Sequence, residues 1–340
     1  MDKIKIGVIG CGYWGPNYVR VFNQLPTSKI IWCCDLEDSK LKAITQMFPL
    51  TRITNNYMDI LNDPEVIAVC VSTPASTHYE IAKKSLLLGK HVLVEKPMTL
   101  VVNNAQELCR IAEKESKILM VGHVYEYHPC IEELKDHIKN GELGDIHYLH
   151  SVRTGLGPIR KDVNTLWDLA PHDISILLYL LEKKPVWVSA IGQAYIQKGI
   201  EDVVFLNLLF PKNILASVHV SWLDPIKVRK LTVVGSRKMA IFDDVENFER
   251  FKIFDKWVSL EEPYSHSYGE FRLRLREGDI YIPKTDATEP LKIECAHFLD
   301  CIREERIPKT DGEKGREVVA ILEAAQASLS NNGVPMDVEY

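Results

Sequence analysis

The sequence predicts an α/β domain with a parallel sheet, followed by an α+β domain with a largely antiparallel, open sheet. Over residues 1–122, short apolar runs alternate with helical patterns, as they do in βαβ units. From residue 146 onward, strand patterns follow one another across short turns, which is typical of antiparallel pairing. The length of 340 residues also suits two domains, which we predict to span residues 1–122 and 123–340.

Composition excludes several classes of protein. Hydrophobic residues make up 46% and charged residues 26% of the chain, as in ordinary globular proteins. The net charge of −6 gives no basic surface for nucleic acid, and the apolar run at 174–181 is too short to span a bilayer. We therefore expect neither a nucleic-acid nor a membrane partner.

The cysteines indicate a reducing compartment. None of the eight forms a C-x-x-C pair, and several lie in apolar patterns, where a thiol behaves as a small hydrophobe. We therefore expect no metal site and no disulfide framework, and a cytoplasmic location. Residues 1–5 run directly into a strand pattern without the apolar core of a signal peptide, which agrees with that expectation.

The first strand, residues 3–9, leads into a glycine motif that reads Gly10-Cys11-Gly12-Tyr13-Trp14-Gly15 and then into a helix ending near Leu25. A G-x-G-x-x-G between a strand and a helix is the context that dinucleotide binding requires. The first glycine permits the tight turn, the second lets a pyrophosphate approach, and the third allows close packing. The helix N-terminus offers free N–H groups to the phosphates.

The second strand, residues 30–34, ends in Asp35, twenty residues after Gly15. An acid at this position accepts hydrogen bonds from the adenosine ribose and repels a 2′-phosphate. No arginine follows in residues 36–38, so we predict NAD in preference to NADP. An ordinary turn with an exposed aspartate is the alternative.

The third strand pattern, residues 66–71, ends in Ser72-Thr73-Pro74, and His78 lies at the head of the next predicted helix. The two hydroxyls could bond cofactor ribose or phosphate, or could cap the helix. For the histidine, a place in the first turn of the helix is the commoner role than contact with a ligand.

The fourth strand, which begins at His91, ends in Glu95-Lys96-Pro97. Ligands of open α/β sheets bind just beyond the carboxyl ends of the strands, and burial there readily lowers the pKa of a lysine. The alternative is a solvated Glu–Lys pair before a turn. A helix at 102–114 and a strand at 118–121 complete the predicted parallel sheet.

The second domain begins with a predicted helix at 129–139 and closes with helices at 291–303 and 315–330. Residues 255–290 are polar, and we expect a β-excursion that meets another subunit or an anionic substrate, or a solvated edge strand. Alternating arginines, Arg272, Arg274 and Arg276, lie within it. The predicted strands are 146–153, 186–195, 202–210, 214–221, 230–235, 239–243 and 250–254.

One stretch of the second domain, residues 164–173, carries a candidate acid–base pair. We predict that a helix begins near Pro171, with Asp168 and His172 four residues apart around its start. Histidine is the side chain best suited to move a proton near neutral pH, and a neighbouring carboxylate can fix its tautomer. A capping aspartate and a buried histidine are the alternative.

Taken together, these motifs resemble those of the Gfo/Idh/MocA family, the relatives of glucose–fructose oxidoreductase and inositol dehydrogenase. The resemblance covers almost the whole chain. It rests on the glycine motif, on Ser72-Thr73-Pro74 with His78, on Glu95-Lys96-Pro97, on Pro129, on Gly141-Glu142-Leu143-Gly144, on Asp168 with His172, and on the tail with Glu294, His297-Phe298, Pro308, Gly315 and Ser328.

The resemblance implies a Rossmann domain, NAD(P)-dependent oxidation or reduction of a sugar or cyclitol hydroxyl, and an open sheet that forms a homodimer or homotetramer. It implies that Lys96 hydrogen-bonds the reacting hydroxyl, that His172 accepts its proton, and that Asp168 orients His172 or the substrate. Whether the lysine or the histidine takes the proton stays open. The predicted cofactor contacts are Gly10, Gly12, Tyr13, Trp14, Gly15, Asp35, Ser72, Thr73, Pro74, His78, Glu95 (near the nicotinamide end) and Lys96.

One departure from the family pattern bears on the substrate. Many members carry Asn-x-Arg-Phe where this chain reads His123-Val124-Tyr125-Glu126, whereas residues 153–172 look more like members that act on nucleotide-linked sugars. We therefore expect oxidation at C3 of a UDP-N-acetylhexosamine or its uronic acid. A free-sugar or myo-inositol dehydrogenase and a non-catalytic NAD-bound sugar sensor are the alternatives. The predicted substrate contacts are Lys96, Tyr125, Arg153, Asn164, Asp168 and His172.

Overall fold

The computed structural model describes residues 3–261 and 272–340, and the strands within them form two sheets, one of six strands and one of nine. The chain divides into two units. The first takes residues up to 127 together with 288–323 and Tyr340, and the second takes 128–287 and 324–339. The predicted boundary at 122/123 stays a prediction, and the sequence patterns did not suggest that residues 288–323 belong with the first unit.

The sheet of the first unit is parallel throughout, in the order β3-β2-β1-β4-β5-β6. Its central strands are apolar in unbroken runs because helices cover both faces of a parallel sheet. This confirms the predicted α/β architecture. The strands are β1 (Ile4–Ile9), β2 (Ser28–Cys34), β3 (Arg52–Thr54), β4 (Ala68–Val71), β5 (His91–Glu95) and β6 (Leu119–Gly122).

The helices of this unit bury one face each. In α1, Tyr18 and Phe22 lie one turn apart and are fully buried, and helix α8 packs against them through Cys295 and Phe298. Residues 288–323 thus complete the core of the first unit. The helices are α1 (Gly15–Gln24), α2 (Asp38–Met47), α3 (Tyr57–Asn62), α4 (Ala75–Leu87), α5 (Val102–Lys114) and α8 (Pro290–Glu304).

Two elements of this unit were not predicted. Helix α2 buries only Leu41 and Ile44, so its apolar stripe is too thin to stand out in the sequence. Strand β3 is three residues long and lies at the edge of the sheet, where no buried run is needed.

The second unit contains the nine-stranded sheet, in the order β14-β13-β12-β11-β7-β10-β9-β8-β15 over the described residues. All its strand pairs are antiparallel except β7 with β10, which is parallel, so the prediction of a largely antiparallel sheet is confirmed. The strands are β7 (Ile146–Thr154), β8 (Trp187–Gln193), β9 (Val203–Phe210), β10 (Ile214–Ser221), β11 (Val228–Gly235), β12 (Met239–Asp243), β13 (Phe251–Glu261), β14 (Arg272–Tyr281) and β15 (Met336–Asp337).

Helix α7 covers one face of this sheet, against β7, β9 and β10. The strands alternate accordingly: Val204, Leu206 and Leu208 on β9 are buried, while Phe205 is half exposed. The remaining helices are α6 (Pro129–Lys139), α7 (Thr165–Leu181) and α9 (Gly312–Ser330).

The predicted start of α7 near Pro171 is wrong. The helix begins at Thr165, because the Asn164 side-chain oxygen accepts a hydrogen bond from the Trp167 backbone N–H at 3.2 Å and caps the first turn. Pro171 lies inside the helix, in its second turn, where it removes one backbone donor without ending the helix.

The predicted β-excursion of residues 255–290 contains the antiparallel pair β13–β14. Within it, Arg276 binds Asp255 with Nη2 2.6 Å from Oδ2, so this exposed arginine already has an acidic partner. The expected contact of Arg272 and Arg274 with a subunit or substrate stays a prediction. Residues 262–271 of the excursion lie outside the described ranges.

Candidate functional site

The glycine motif folds into a turn that only glycine fits at two positions. Gly10 has a φ of +97°, and a Cβ added there would lie 2.6 Å from the Ser72 carbonyl carbon. A Cβ on Gly15 would lie 2.1 Å from the Gly10 carbonyl oxygen. At Gly12 a Cβ would meet no described atom within 4 Å, so the backbone is open there, as the approach of a pyrophosphate requires.

The N-terminus of α1 offers a site for phosphate. Trp14 occupies the N-cap position, and no described side chain caps the helix or places an acid in its first turn. The first N–H groups of α1 therefore keep their capacity to bind an anion. Tyr13 is 84% exposed beside this turn, with its ring edge-on to Trp14 at 5.7 Å between centroids.

Ser72 supports the glycine turn. Its Oγ donates a hydrogen bond to the Gly10 carbonyl oxygen at 2.8 Å. Helix α4 begins after Pro74 with no side-chain cap from the described residues, so of the two predicted roles the capping of α4 does not occur. Thr73 accepts a hydrogen bond from the Thr77 hydroxyl at 2.8 Å. Direct contact of either hydroxyl with the cofactor stays a prediction.

Asp35 is held by two backbone donors. Its Oδ2 accepts from the Cys11 N–H at 2.7 Å, and its Oδ1 accepts from the Glu37 N–H at 2.9 Å. The carboxylate is thereby placed against the glycine motif, at the end of β2. Each oxygen keeps a lone pair for a ribose hydroxyl. Lys40 approaches the same group, with Nζ 3.8 Å from Oδ1.

His78 joins two loops at the carboxyl edge of the first sheet. Its side chain is only 1% exposed, and its ring nitrogens lie 2.8 Å from the carbonyl oxygens of Thr73 and Pro97. The ring therefore connects the end of β4 to the segment that carries Lys96. This explains the burial of His78 without any ligand, and its predicted contact with the cofactor stays a prediction.

Lys96 is half-buried just beyond β5, and Glu95 before it is buried. The Glu95 carboxylate accepts hydrogen bonds from the Tyr18 hydroxyl at 2.7 Å and from the Lys96 backbone N–H at 3.1 Å. Burial raises the pKa of Glu95, while the Lys96 charge and these hydrogen bonds lower it. An acid and a base thus lie together at the end of a strand, where ligands of such sheets bind.

His123, which follows β6, is a further group beside Lys96. It is 1% exposed, and neither ring nitrogen has a hydrogen-bond partner among the described residues. Burial, followed by the charges of Lys96 and Lys314, lowers its pKa to about 3, so the imidazole is neutral. Tyr125 lies in the short 3₁₀ turn that comes next and is also buried.

In the second unit, Asp168 and His172 lie one turn apart on α7, which brings their side chains onto one face of the helix. Asp168 Oδ1 lies 3.3 Å from Arg160 Nη1, and its Oδ2 accepts from Trp222 Nε1 at 3.1 Å. The sequence reasoning missed Arg160 and Trp222, because neither is in a recognisable pattern with Asp168. His172 is 8% exposed.

The other two predicted substrate residues of this unit have internal partners. Arg153 forms a buried ion pair with Asp173, with Nε 2.8 Å from Oδ2 and Nη2 3.1 Å from Oδ1. Asn164 caps α7 and also donates to Glu201 at 2.6 Å. Both contacts account for the burial of these side chains, and their contact with substrate stays a prediction.

Metal sites and membrane-spanning helices are both absent from the described residues. Across residues 3–261 and 272–340, no group of three or more His, Cys, Asp or Glu side chains could hold a metal ion. In the same ranges, no helix is long and apolar enough to cross a membrane. The cysteines all lie within these ranges, and each is a free thiol.

We predict that Asp35→Ala weakens NAD binding by roughly 10-fold to 100-fold, since hydrogen bonds to a charged group each contribute about 1.5–3 kcal/mol. Asp35→Asn is the matched comparison, because its amide oxygen can still accept the Cys11 N–H, while the charge and the acceptor for the Glu37 N–H are lost. It should bind NADP better relative to NAD than the parent protein does. Calorimetric titration of both nucleotides measures this, and unchanged NAD affinity in Asp35→Ala would refute the ribose role.

Comparison with known families assigns both parts of the chain. Residues 4–123 match the model of the oxidoreductase family with an NAD-binding Rossmann fold, GFO_IDH_MocA. Residues 131–241 match the GFO/IDH/MocA C-terminal domain. The two matches follow each other in the order that the sequence motifs predicted.

Individual proteins that are similar to this chain include named dehydrogenases. The chain is 27% identical to a UDP-N-acetylglucosamine 3-dehydrogenase of Acidithiobacillus ferrooxidans, over 94% of this chain and 95% of the relative. It is 29% identical to the scyllo-inositol 2-dehydrogenase (NADP(+)) IolW of Bacillus subtilis, over 61% of this chain and 60% of the relative. A solved structure of UDP-N-acetylglucosamine 3-dehydrogenase GnnA from A. ferrooxidans shares the fold, with a TM-score of 0.80 and 24% identity over 97% of this chain and 99% of that one. The chain therefore belongs to the Gfo/Idh/MocA family of oxidoreductases, and its first domain is an NAD-binding Rossmann domain.

Proposed function

We propose that this protein is an NAD-dependent dehydrogenase that oxidises C3 of a UDP-N-acetylhexosamine or of its uronic acid. The observation that carries the chemistry is a half-buried lysine, Lys96, just beyond β5 of an NAD-binding sheet. The substrate class rests on the similarity to the Acidithiobacillus UDP-N-acetylglucosamine 3-dehydrogenase, which extends over 94% of this chain.

The residues of the first unit fit a dinucleotide. The open backbone at Gly12 and the uncapped end of α1 suit the pyrophosphate, and Asp35 suits the ribose hydroxyls and disfavours a 2′-phosphate. When bound, NAD supplies the acceptor for the hydride that leaves the substrate carbon. The protein supplies orientation and a place for the hydroxyl proton.

Lys96 and His172 have complementary roles in this proposal. Lys96 donates a hydrogen bond to the reacting hydroxyl, and His172 accepts the proton that the hydroxyl loses. Asp168, one turn before His172 on α7, is fixed through Arg160 and Trp222. A carboxylate held in one orientation can favour one tautomer of a nearby histidine, or bind a second hydroxyl of the sugar.

Two features bear on the alternatives. The similarity to a scyllo-inositol dehydrogenase keeps a cyclitol or free sugar as the second candidate substrate. His123, a neutral buried imidazole, stands where the Asn-x-Arg-Phe pattern of the family resemblance has asparagine, which supports a substrate different from that of members with this pattern. A sugar sensor without catalysis has no need for the combination of Lys96, Asp168 and His172.

We further propose a cytoplasmic homodimer or homotetramer. Supporting this, the face of the second sheet opposite α7 exposes apolar side chains, among them Ile191 and Phe205, which are cross-strand neighbours, and Phe205 stacks on His219 at 4.3 Å. Sedimentation velocity should give an oligomer for the parent chain and a smaller species for Phe205→Glu. A monomeric parent chain would refute the proposal.

We predict that Lys96→Ala and His172→Ala each lower the turnover of UDP-N-acetylglucosamine by about 100-fold or more, because each removes a group that handles the hydroxyl proton. NADH absorbance measures turnover, and calorimetry should show NAD still bound. Lys114→Ala, at the exposed end of α5, is the control and should keep parental turnover.

The same assay separates the alternatives when its substrates include free N-acetylglucosamine, glucose and myo-inositol. Near-full turnover in both catalytic-site variants would contradict the assigned roles. Reduction of NAD with myo-inositol and none with the UDP-sugar would favour the second candidate, and sugar binding without any reduction would favour the sensor.

A further inference from the structure

Two carboxyl groups from distant parts of the chain flank one tyrosine in the core of the first unit. Tyr18 Oη lies 2.7 Å from Glu95 Oε1 and 3.4 Å from Glu294 Oε2. Tyr18 and Glu294 are completely buried, and Glu95 is 7% exposed. The other oxygen of Glu294, Oε1, has no hydrogen-bond partner among the described residues.

Counting protons restricts the charges of this cluster. A tyrosine hydroxyl has one proton to donate and can also accept. If both carboxyls were ionised, Tyr18 could satisfy only one of them, and the other would be a buried anion with no donor, which is very costly. One of the two carboxyls must therefore carry a proton and donate it to Tyr18.

The contacts decide which carboxyl is neutral. Glu95 receives the short hydrogen bond from Tyr18, a second from the Lys96 backbone N–H at 3.1 Å, and the attraction of the Lys96 charge. Within residues 3–261 and 272–340, Glu294 has only the longer contact, and its other oxygen has no partner. Burial and the nearby Glu95 raise the pKa of Glu294 well above its ordinary value. The proton belongs on Glu294.

We propose that Glu294 is a positioning residue for the dehydrogenase: as a neutral acid it donates to Tyr18, which directs the Tyr18 proton to Glu95 and keeps Glu95 ionised beside Lys96. The inference rests on the proposed function only in its consequence for catalysis. An ionised Glu95 favours the ammonium form of Lys96, and that form can donate to the substrate hydroxyl. Glu294 acts through two other side chains and does not touch the substrate.

The groups that face this cluster come from several elements of the first unit. The carboxyl of Glu126, in the turn after β6, adds to the rise in the pKa of Glu294. The thiols of Cys70 on β4 and Cys295 on α8 lie near Tyr18, and burial raises the pKa of both, so both are neutral. Of the charges around the cluster, that of Lys96 is the one that lowers the pKa of Glu95.

Infrared difference spectroscopy of the protein without substrate tests the proton assignment. At neutral pH the parent protein should show the carbonyl band of a buried protonated carboxylic acid, and Glu294→Gln should lose it. Glu95→Gln is the matched variant and should retain a band. A parent protein without the band, or a band that disappears in Glu95→Gln and survives in Glu294→Gln, would overturn the proposal.

A pH profile tests the consequence for Lys96. In Tyr18→Phe, Glu95 loses its donor and becomes protonated, so the Lys96 ammonium loses its neighbouring charge and its pKa falls. The alkaline limb of turnover should move to lower pH by about one unit. Tyr127→Phe is the control, because this buried hydroxyl pairs with Thr310 and has no hydrogen bond to Glu95. An unmoved limb in Tyr18→Phe would contradict the proposed link.

The infrared experiment can fail independently of the proposed function, whereas the pH profile is measured on the active dehydrogenase. The infrared assignment needs neither cofactor nor sugar, so the expected bands with no oxidation of any sugar would refute the proposed function alone. An active dehydrogenase without the Glu294 band would refute this inference alone.

Discussion

The close approach of three backbone segments at the end of β1 is the constraint on which the first unit depends. The Gly10 turn leaves no room for side chains at two positions, and the Ser72 hydroxyl binds the Gly10 carbonyl across it. Through Thr73 and the ring of His78, the same loop is connected to the carbonyl of Pro97. The phosphate-binding turn and the lysine segment are thus parts of one hydrogen-bonded edge of the sheet.

Beneath this edge, the interior is more polar than an ordinary core. Tyr18 and two carboxyl groups lie where apolar side chains would pack, and Glu294 reaches them from α8, in the part of the chain that returns to the first unit. Buried charges are costly unless they are paired, and such arrangements cluster at functional sites. Glu95, one of the two carboxyl groups, directly precedes Lys96 in the chain. This agrees with the proposed role of the cluster in setting the charge of that lysine.

Local patterns predicted most of the fold. The structure confirms the parallel sheet, the glycine turn and the largely antiparallel second sheet. All three were predicted from residues that are close together in sequence. The predicted start of α7 is wrong, because the proline at 171 lies in the second turn of a helix that Asn164 caps. Asp168 and His172 are neighbours all the same, because they lie one helical turn apart.

The contacts that could not be predicted join residues far apart in sequence. Trp222, directly after β10, donates to Asp168 across 54 residues, and Glu294 contacts Tyr18 across 276 residues. No periodicity encodes such pairs, since they arise only when strands and helices from separate segments pack together. The role of Ser72 was missed for a similar reason: its partner is a backbone carbonyl 62 residues earlier.

Transfer of the hydrogen from the sugar carbon to the nicotinamide ring can be followed directly with an isotope label. The protein would be mixed with NAD and UDP-N-acetylglucosamine carrying deuterium at C3, and the reduced nucleotide examined by proton NMR. We expect deuterium at C4 of the nicotinamide ring. Reduced nucleotide without deuterium would place the oxidation at another carbon, and no reduced nucleotide with any sugar would contradict the assignment of a dehydrogenase.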